Sequence, residues 1–97
     1  MDKQEIIGQV IQTVIHIQEM SGRSTEGIGA STSPVADLEG FDSINGEEAT
    51  LTLAGSLGVD LPEDFNLFTS GSRTQPSIEE VADALCGYPV RRLWHDD

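Results

Sequence analysis

Apolar residues near the start of the chain recur at the spacing of an α-helix. Counting from Ile6, aliphatic side chains stand 1, 4, 5, 8, 9 and 11 positions further on, at Ile7, Val10, Ile11, Val14, Ile15 and Ile17. This spacing places them on one face of a helix, and the strict alternation of a strand is absent. Asp2 followed three positions later by Glu5 is typical of a capping box. The pattern predicts a helix over residues 3–18.

The end of the chain carries a second clear helical signal. Ser77 followed by Glu80 is a further capping box, and the apolar residues after it fall at i, i+3, i+4 and i+7, at Ile78, Val81, Ala82 and Leu85. Gly87 and Pro89 follow, as they often do where a helix ends. We therefore expect a final helix that ends at Gly87.

A middle helix is predicted between Asp42, a good N-cap residue, and Gly58. Its apolar residues Ile44, Leu51, Ala54 and Leu57 fall at 0, 7, 10 and 13, the spacing of an apolar helix face. Gly46 and Gly55 each weaken a helix interior by about 1 kcal/mol relative to Ala. This helix is therefore expected to open more readily than the first.

The remaining segments are loops. Residues 21–33 are rich in Gly, Ser and Thr and are closed by Pro34, while Phe65, Leu67 and Phe68 are expected to form a short helical turn. The sequence thus predicts an all-α fold, a small helical bundle of three main helices plus a short one, with a long first loop. Residues 1–87 would form the bundle and 88–97 a C-terminal tail.

Charge restricts the partners of such a chain. Five basic against 17 acidic residues give a net charge of −12, which excludes most nucleic-acid binding and disfavours anionic lipid. Basic proteins are the expected partners. No apolar run reaches the roughly 18 residues of a membrane span, so no membrane insertion is expected. One cysteine, Cys86, and an N-terminus without a secretory signal predict a cytoplasmic protein.

No catalytic or metal-binding constellation stands out. There is no Gly-x-Ser-x-Gly, and His16, Cys86 and His95 are scattered, so neither an enzyme nor a metal site is predicted. Cys86 is interpreted as a small packing residue beside the last helix.

The motif Asp42-Ser43-Ile44 at the start of the middle helix resembles that of the acyl carrier protein family, which includes the peptidyl carriers. Gly58-Val59-Asp60-Leu61-Pro62 is similar to the family's segment closing that helix, with Pro62 19 residues after Ser43, and residues 77–82 are similar to the start of its last helix. The resemblance covers residues 6–85. It implies that Ser43 is esterified by the phosphate of 4′-phosphopantetheine and that Asp42 helps position the modifying enzyme and its metal.

Elementary physics agrees with this interpretation. A hydroxyl at a helix N-terminus is exposed, and the free N–H groups and dipole there favour an anionic phosphodiester. The thioester chemistry would belong to the arm, so no catalytic side chains are needed. Glu47, Glu48 and Ile44 would then contact partner enzymes.

The expected function is that of a discrete, monomeric acyl carrier protein in a fatty-acid, polyketide or other specialised pathway. Its partners would be a phosphopantetheinyl transferase and acyl- or aminoacyl-loading and condensing enzymes with basic patches. Ala54, Gly55 and Ser56 stand where many fatty-acid carriers have glutamates, which argues against the housekeeping carrier. The alternative is an unmodified interaction module of the same fold that acts through its acidic surface.

Overall fold

The first helix, α1, spans Lys3–Met20, two residues beyond the predicted end. Its capping box is confirmed: the Asp2 carboxylate accepts a hydrogen bond from the backbone N–H of Glu5 at 2.9 Å, and the Glu5 carboxylate accepts one from the N–H of Asp2 at 3.1 Å. The predicted apolar face is buried at Ile6, Ile7, Val10, Val14 and Ile17. This face packs against both of the other long helices.

A computed structural model of the chain describes residues 2–62, 65–69 and 75–89. Within these ranges the other helices are α2 (Pro34–Asp37), α3 (Ser43–Leu57) and α4 (Ile78–Cys86). They form a small all-α bundle, as predicted. None of the helices in the described ranges is both long and apolar enough to cross a membrane.

The short helix is not where the sequence placed it. It is α2, with Pro34 at its N-terminus, whereas residues 65–69 form a turn in which the N–H of Thr69 donates to the carbonyl of Asn66 at 3.3 Å. Proline suits the first helical position because an N–H group there would have no partner within the helix, so proline loses no hydrogen bond by lacking one. Pro34 therefore begins an element instead of only closing the loop.

The loop before α2 is fixed to the last helix. The carbonyls of Thr32 and Ala30 accept the N–H groups of Ile78 and Glu79 at 2.8 and 2.9 Å, in the first turn of α4. These N–H groups have no partner within their own helix, so the loop satisfies them.

Helix α4 has the predicted capping box and the predicted buried face. The N–H of Glu80 donates to the Ser77 hydroxyl at 3.1 Å, and the N–H of Ser77 donates to the Glu80 carboxylate at 2.8 Å. The interpretation of Cys86 as a packing residue is wrong, because its side chain is exposed. It is the last residue of the helix and lies one position beyond Leu85, the end of the buried stripe.

An ion pair joins α1 to α4 on the surface. Lys3 Nζ lies 2.7 Å from Asp83 Oδ1 and 3.5 Å from Glu79 Oε2. The hydrogen bond with Asp83, with the charges of both carboxylates, raises the pKa of Lys3 above its ordinary value of 10.5.

Residues 65–69, here named the connector turn, pack into the core beside α3. Leu67 and Phe68 are buried in it, and the Phe68 ring lies 5.6 Å from that of Phe41, centroid to centroid. Phe65 packs edge-on against Tyr88, and the Pro89 carbonyl accepts the N–H of Asp60 at 2.9 Å. Tyr88 and Pro89 thus pack with the bundle, while the rest of the predicted tail, 90–97, lies outside the described residues.

Candidate functional site

Ser43 is the first residue of α3 and is exposed. Asp42 is its N-cap, as predicted, and its Oδ1 accepts the N–H groups of Ile44 and Asn45 at 3.0 and 3.1 Å. Among the described residues, none forms a hydrogen bond with the Ser43 hydroxyl. A primary alcohol therefore stands in solvent at a well-defined helix start, open to an enzyme that would modify it.

The helix terminus does not provide the anion site that the sequence suggested. Two of the N–H groups at the start of α3 are already bonded to the Asp42 carboxylate. A carboxylate in this place also neutralises the positive end of the helix dipole. A phosphate on Ser43 would stand next to an anion, so its position would depend on the covalent bond and not on a cradle of backbone amides.

The apolar face predicted for α3 is not the buried one, because two of its three large residues are exposed and only Leu57 is buried. Ile44 is 71% exposed and Leu51 is 70% exposed. The positions that are buried are mostly small or polar: Gly46, Ala49, Thr50, Leu53 and Leu57. A prediction from hydrophobic spacing depends on the large apolar side chains. In α3 it fails because two of these side chains point to solvent.

These two residues lie on the same face of α3 as the acidic pair. Ile44, Glu47, Glu48 and Leu51 fall at i, i+3, i+4 and i+7, are all exposed, and are here named the outer face of α3. The face extends about 10 Å along the helix from the residue after Ser43. It brings together the three predicted partner-binding residues, Ile44, Glu47 and Glu48, and adds Leu51, which the sequence had placed on the apolar face.

The opposite side of α3 is tied to the connector turn. Asn66 Nδ2 donates to the Ser43 carbonyl at 2.8 Å, and Asn66 Oδ1 accepts the N–H of Phe68 at 3.0 Å. The Thr50 hydroxyl donates to the Gly46 carbonyl at 2.8 Å and accepts the N–H of Leu67 at 3.0 Å. One side-chain amide and one hydroxyl thus fix the turn along two turns of helix, beginning at Ser43 itself.

Gly46 is what allows this close approach. A Cβ placed on it would stand 2.8 Å from Asn66 Oδ1 and 3.0 Å from Phe68 Cβ, so these side chains would have to shift to accommodate it. Sequence reasoning treated this glycine as a weakness of the helix and missed Asn66 and Thr50 altogether. A glycine inside a helical pattern can mark a packing contact, and that was the available signal.

The approach to Ser43 is fixed from the other direction by α1. Gln18 is fully buried; its Nε2 donates to the Glu39 carbonyl at 3.1 Å, and its Oε1 accepts from Arg23 at 3.3 Å. Gly40 has a φ of +72°, and a Cβ there would stand 2.5 Å from Arg23 Nε. The position of Ser43 is therefore set by α1 before it and by the connector turn behind it.

The described ranges contain no metal site that could serve as an alternative functional site to Ser43. No cluster of three or more His, Cys, Asp or Glu side chains that could hold a metal ion occurs there. His16 is exposed on α1, and His95 lies outside the described residues.

Comparison of the chain with protein-family models, with curated proteins and with solved structures found no match. The carrier interpretation therefore rests on the residues around Ser43 and on the helical layout that presents them.

Proposed function

We propose that the chain is a carrier protein that bears 4′-phosphopantetheine on Ser43 and holds an acyl or aminoacyl group as a thioester. The observation that carries the proposal is the exposed hydroxyl of Ser43 at the first position of α3, capped by Asp42. The hydroxyl is accessible while its backbone is held by Asn66. This combination suits a residue that a second protein must find and modify.

The residues around Ser43 allow the arm to be attached but do not hold its phosphate. The Ser43 oxygen can form the phosphodiester, and the thiol at the far end of the arm supplies the thioester chemistry. The Asp42 carboxylate occupies the nearby N–H groups, so the phosphate is held by its bond to Ser43 and faces solvent. Asp42 would also help to position the transferase and its metal, as the family resemblance implies.

The outer face of α3 is the surface proposed for partners. Glu47 and Glu48 would meet Lys and Arg residues on a transferase and on loading and condensing enzymes, while Ile44 and Leu51 would enter an apolar depression. Charge complementarity of this kind raises the association rate and orients the partner. The pathway would be fatty-acid, polyketide or another specialised synthesis, with the protein acting as a cytoplasmic monomer.

Direct modification tests the proposal. The protein is incubated with coenzyme A and a broad-specificity phosphopantetheinyl transferase, and its intact mass is measured. Wild type should gain one arm and Ser43→Ala none. Ser56→Ala, which changes another exposed serine of the same helix, should be modified like wild type. A wild-type chain that stays unmodified with several transferases would overturn the proposal.

One observation also favours a second function. Ile44 and Leu51 are exposed in the chain without an arm, so the outer face of α3 could bind a basic protein without modification. The chain would then be an interaction module. In that case Ser43→Ala would bind its natural partner as tightly as wild type does, whereas a carrier would lose its cargo transfer.

A further inference from the structure

The connector turn covers the inner side of α3 from the backbone of Ser43 to Thr50. Its Asn66 bonds to the carbonyl of Ser43, and its Leu67 and Phe68 are buried. We propose that the connector turn closes the inner side of α3 to cargo, so that the chain carries short or polar acyl groups that remain in solvent. The cargo class rests on the function proposed above; the closure itself does not.

Hydrogen bonds oppose opening of this side. Moving the connector turn away from α3 breaks the bond from Asn66 to the Ser43 carbonyl and the bond from the Leu67 N–H to Thr50. Thr50 is only 2% exposed. A buried donor that loses its partner to a hydrocarbon chain keeps the full cost of its desolvation.

Close packing opposes it as well. At Gly46 the backbone of α3 approaches the connector turn so closely that even a methyl group would overlap with Asn66 and Phe68. Phe68 is fully buried and its ring contacts that of Phe41. An alkyl chain could enter here only by displacing the Phe68 ring, because well-packed interiors leave no spare volume along such a contact.

The consequence is a selection against long alkyl cargo. Each methylene left in water forgoes the free energy that burial would give it, so a long chain outside the bundle would favour association with membranes or with other proteins. Short acyl groups, or groups carrying amino, hydroxyl or carboxyl substituents, have little to lose in solvent. Partner enzymes, and not the carrier, would then shelter the group during transfer.

The test attaches an apolar chain at position 43 without using the natural arm, so it is independent of the proposed function. In a Cys86→Ser, Ser43→Cys chain, the single thiol is converted to a mixed disulfide with an ethyl or a decyl methanethiosulfonate, which releases methanesulfinate. We expect the two labelled proteins to have the same melting temperature. We also expect unchanged NMR methyl signals for Leu53, Leu67 and Val81.

A higher melting temperature for the decyl form, with shifts of those core methyl signals, would overturn the proposal. Phe68→Ala in the same background supplies the converse test, since removing the ring should let the decyl chain enter and raise the melting temperature above that of the ethyl form. Should that chain not fold, Asn66→Ala removes the bond to Ser43 and keeps the apolar core. The decyl and ethyl forms are then compared in the folded variant and in the parent chain. If their difference in melting temperature is the same in both, the connector turn is not the barrier.

Discussion

Gly46 and Gly55 lie in the same helix but have opposite surroundings. A Cβ on Gly46 would overlap with Asn66 and Phe68, whereas one on Gly55 would have no atom within 4 Å. Ala gains about 1 kcal/mol of helix propensity over Gly at either position, and forcing atoms into a packed contact costs about 1–3 kcal/mol. We expect Gly55→Ala to stabilise the fold by up to about 1 kcal/mol and Gly46→Ala to destabilise it by up to about 2 kcal/mol.

Urea unfolding of the two variants beside wild type gives both values. Gly55→Ala serves as the control for helix propensity, because it is the same change in the same helix. Equal stabilisation by both substitutions would show that the close approach at Gly46 does not exist in solution.

Thr50 and Thr52 form a second matched pair. The Thr50 hydroxyl is buried and takes part in two hydrogen bonds, while Thr52 is exposed. Thr50→Val keeps the shape and leaves the Leu67 N–H without a partner, which costs about 1–3 kcal/mol. Thr52→Val should change the free energy of unfolding by less than about 0.5 kcal/mol. A loss of similar size in both would contradict the role given to Thr50.

The residues whose roles could be predicted from the sequence are those whose hydrogen-bond partners lie only a few positions away. The caps Asp2, Asp42 and Ser77 act on backbone groups two or three positions away, so their role is visible in a short window. Gly46 and Thr50 act on a segment about 17–22 positions further on. No pattern within α3 indicates which distant residues will approach them.

Among the elements, α3 is expected to exchange its amide hydrogens faster than α1. Helix α1 buries five aliphatic side chains, while α3 buries two and relies on small residues. The connector turn holds the first half of α3, so the second half should open most readily. Hydrogen exchange by NMR should therefore be slowest over 6–17, intermediate over 44–50 and fastest over 51–57, with Gly55→Ala slowing the last group. Slower exchange over 51–57 than over 6–17 would contradict this order.

The ion pair between α1 and α4 gives a pH dependence with a definite sign. The pKa of Lys3 is raised in the folded state above 10.5, so the folded chain holds this proton more tightly than the unfolded chain does. The resulting stability is fully present below 10.5 and is lost as the pH rises through the raised pKa of the folded state. Lys3→Gln should be less stable than wild type at neutral pH, by the small amount typical of exposed pairs.

Urea midpoints of wild type and Lys3→Gln measured across the alkaline range test this expectation. The two midpoints should converge as the pH passes above 10.5. A constant difference throughout would mean that packing of the lysine stem, and not its charge, links the two helices.

The elements themselves were largely predictable, and their exceptions have physical causes. Helices α1 and α4 carry large aliphatic residues at helical spacing, and the prediction was accurate for both. The buried side of α3 did not follow from its apolar spacing, because three of its five buried residues are small or polar and a hydrophobic pattern does not detect them. The short helix was misplaced because Pro34 is equally compatible with a loop end and with a first helical residue.

The whole molecule carries a net charge of −12. The rate at which it associates with a basic partner should therefore depend on which acidic residues are neutralised. Glu47→Gln with Glu48→Gln should slow binding of a basic partner, such as a transferase, chiefly through the association rate. Glu19→Gln with Glu26→Gln makes the same change in net charge at exposed residues outside the outer face of α3 and should have a smaller effect. Stopped-flow rates at several salt concentrations separate the two.

Rising salt should reduce the difference between these variants, because the screening length is about 8 Å at physiological ionic strength. Equal association rates for both double variants at low salt would show that only the total charge matters and that the outer face of α3 is not the docking surface.

The packing of the first long helix against the last has a consequence for how the chain reaches its native state. Lys3 and Glu79, which form an ion pair between these helices, are 76 positions apart, so the contact closes a long loop. Non-local contacts of this kind slow folding relative to bundles in which successive helices pair. During synthesis, part of the Ile- and Val-rich face of α1 stays uncovered until residues 78–85 leave the ribosome. The interval before α4 arrives is therefore when this protein is most exposed to aggregation with other chains.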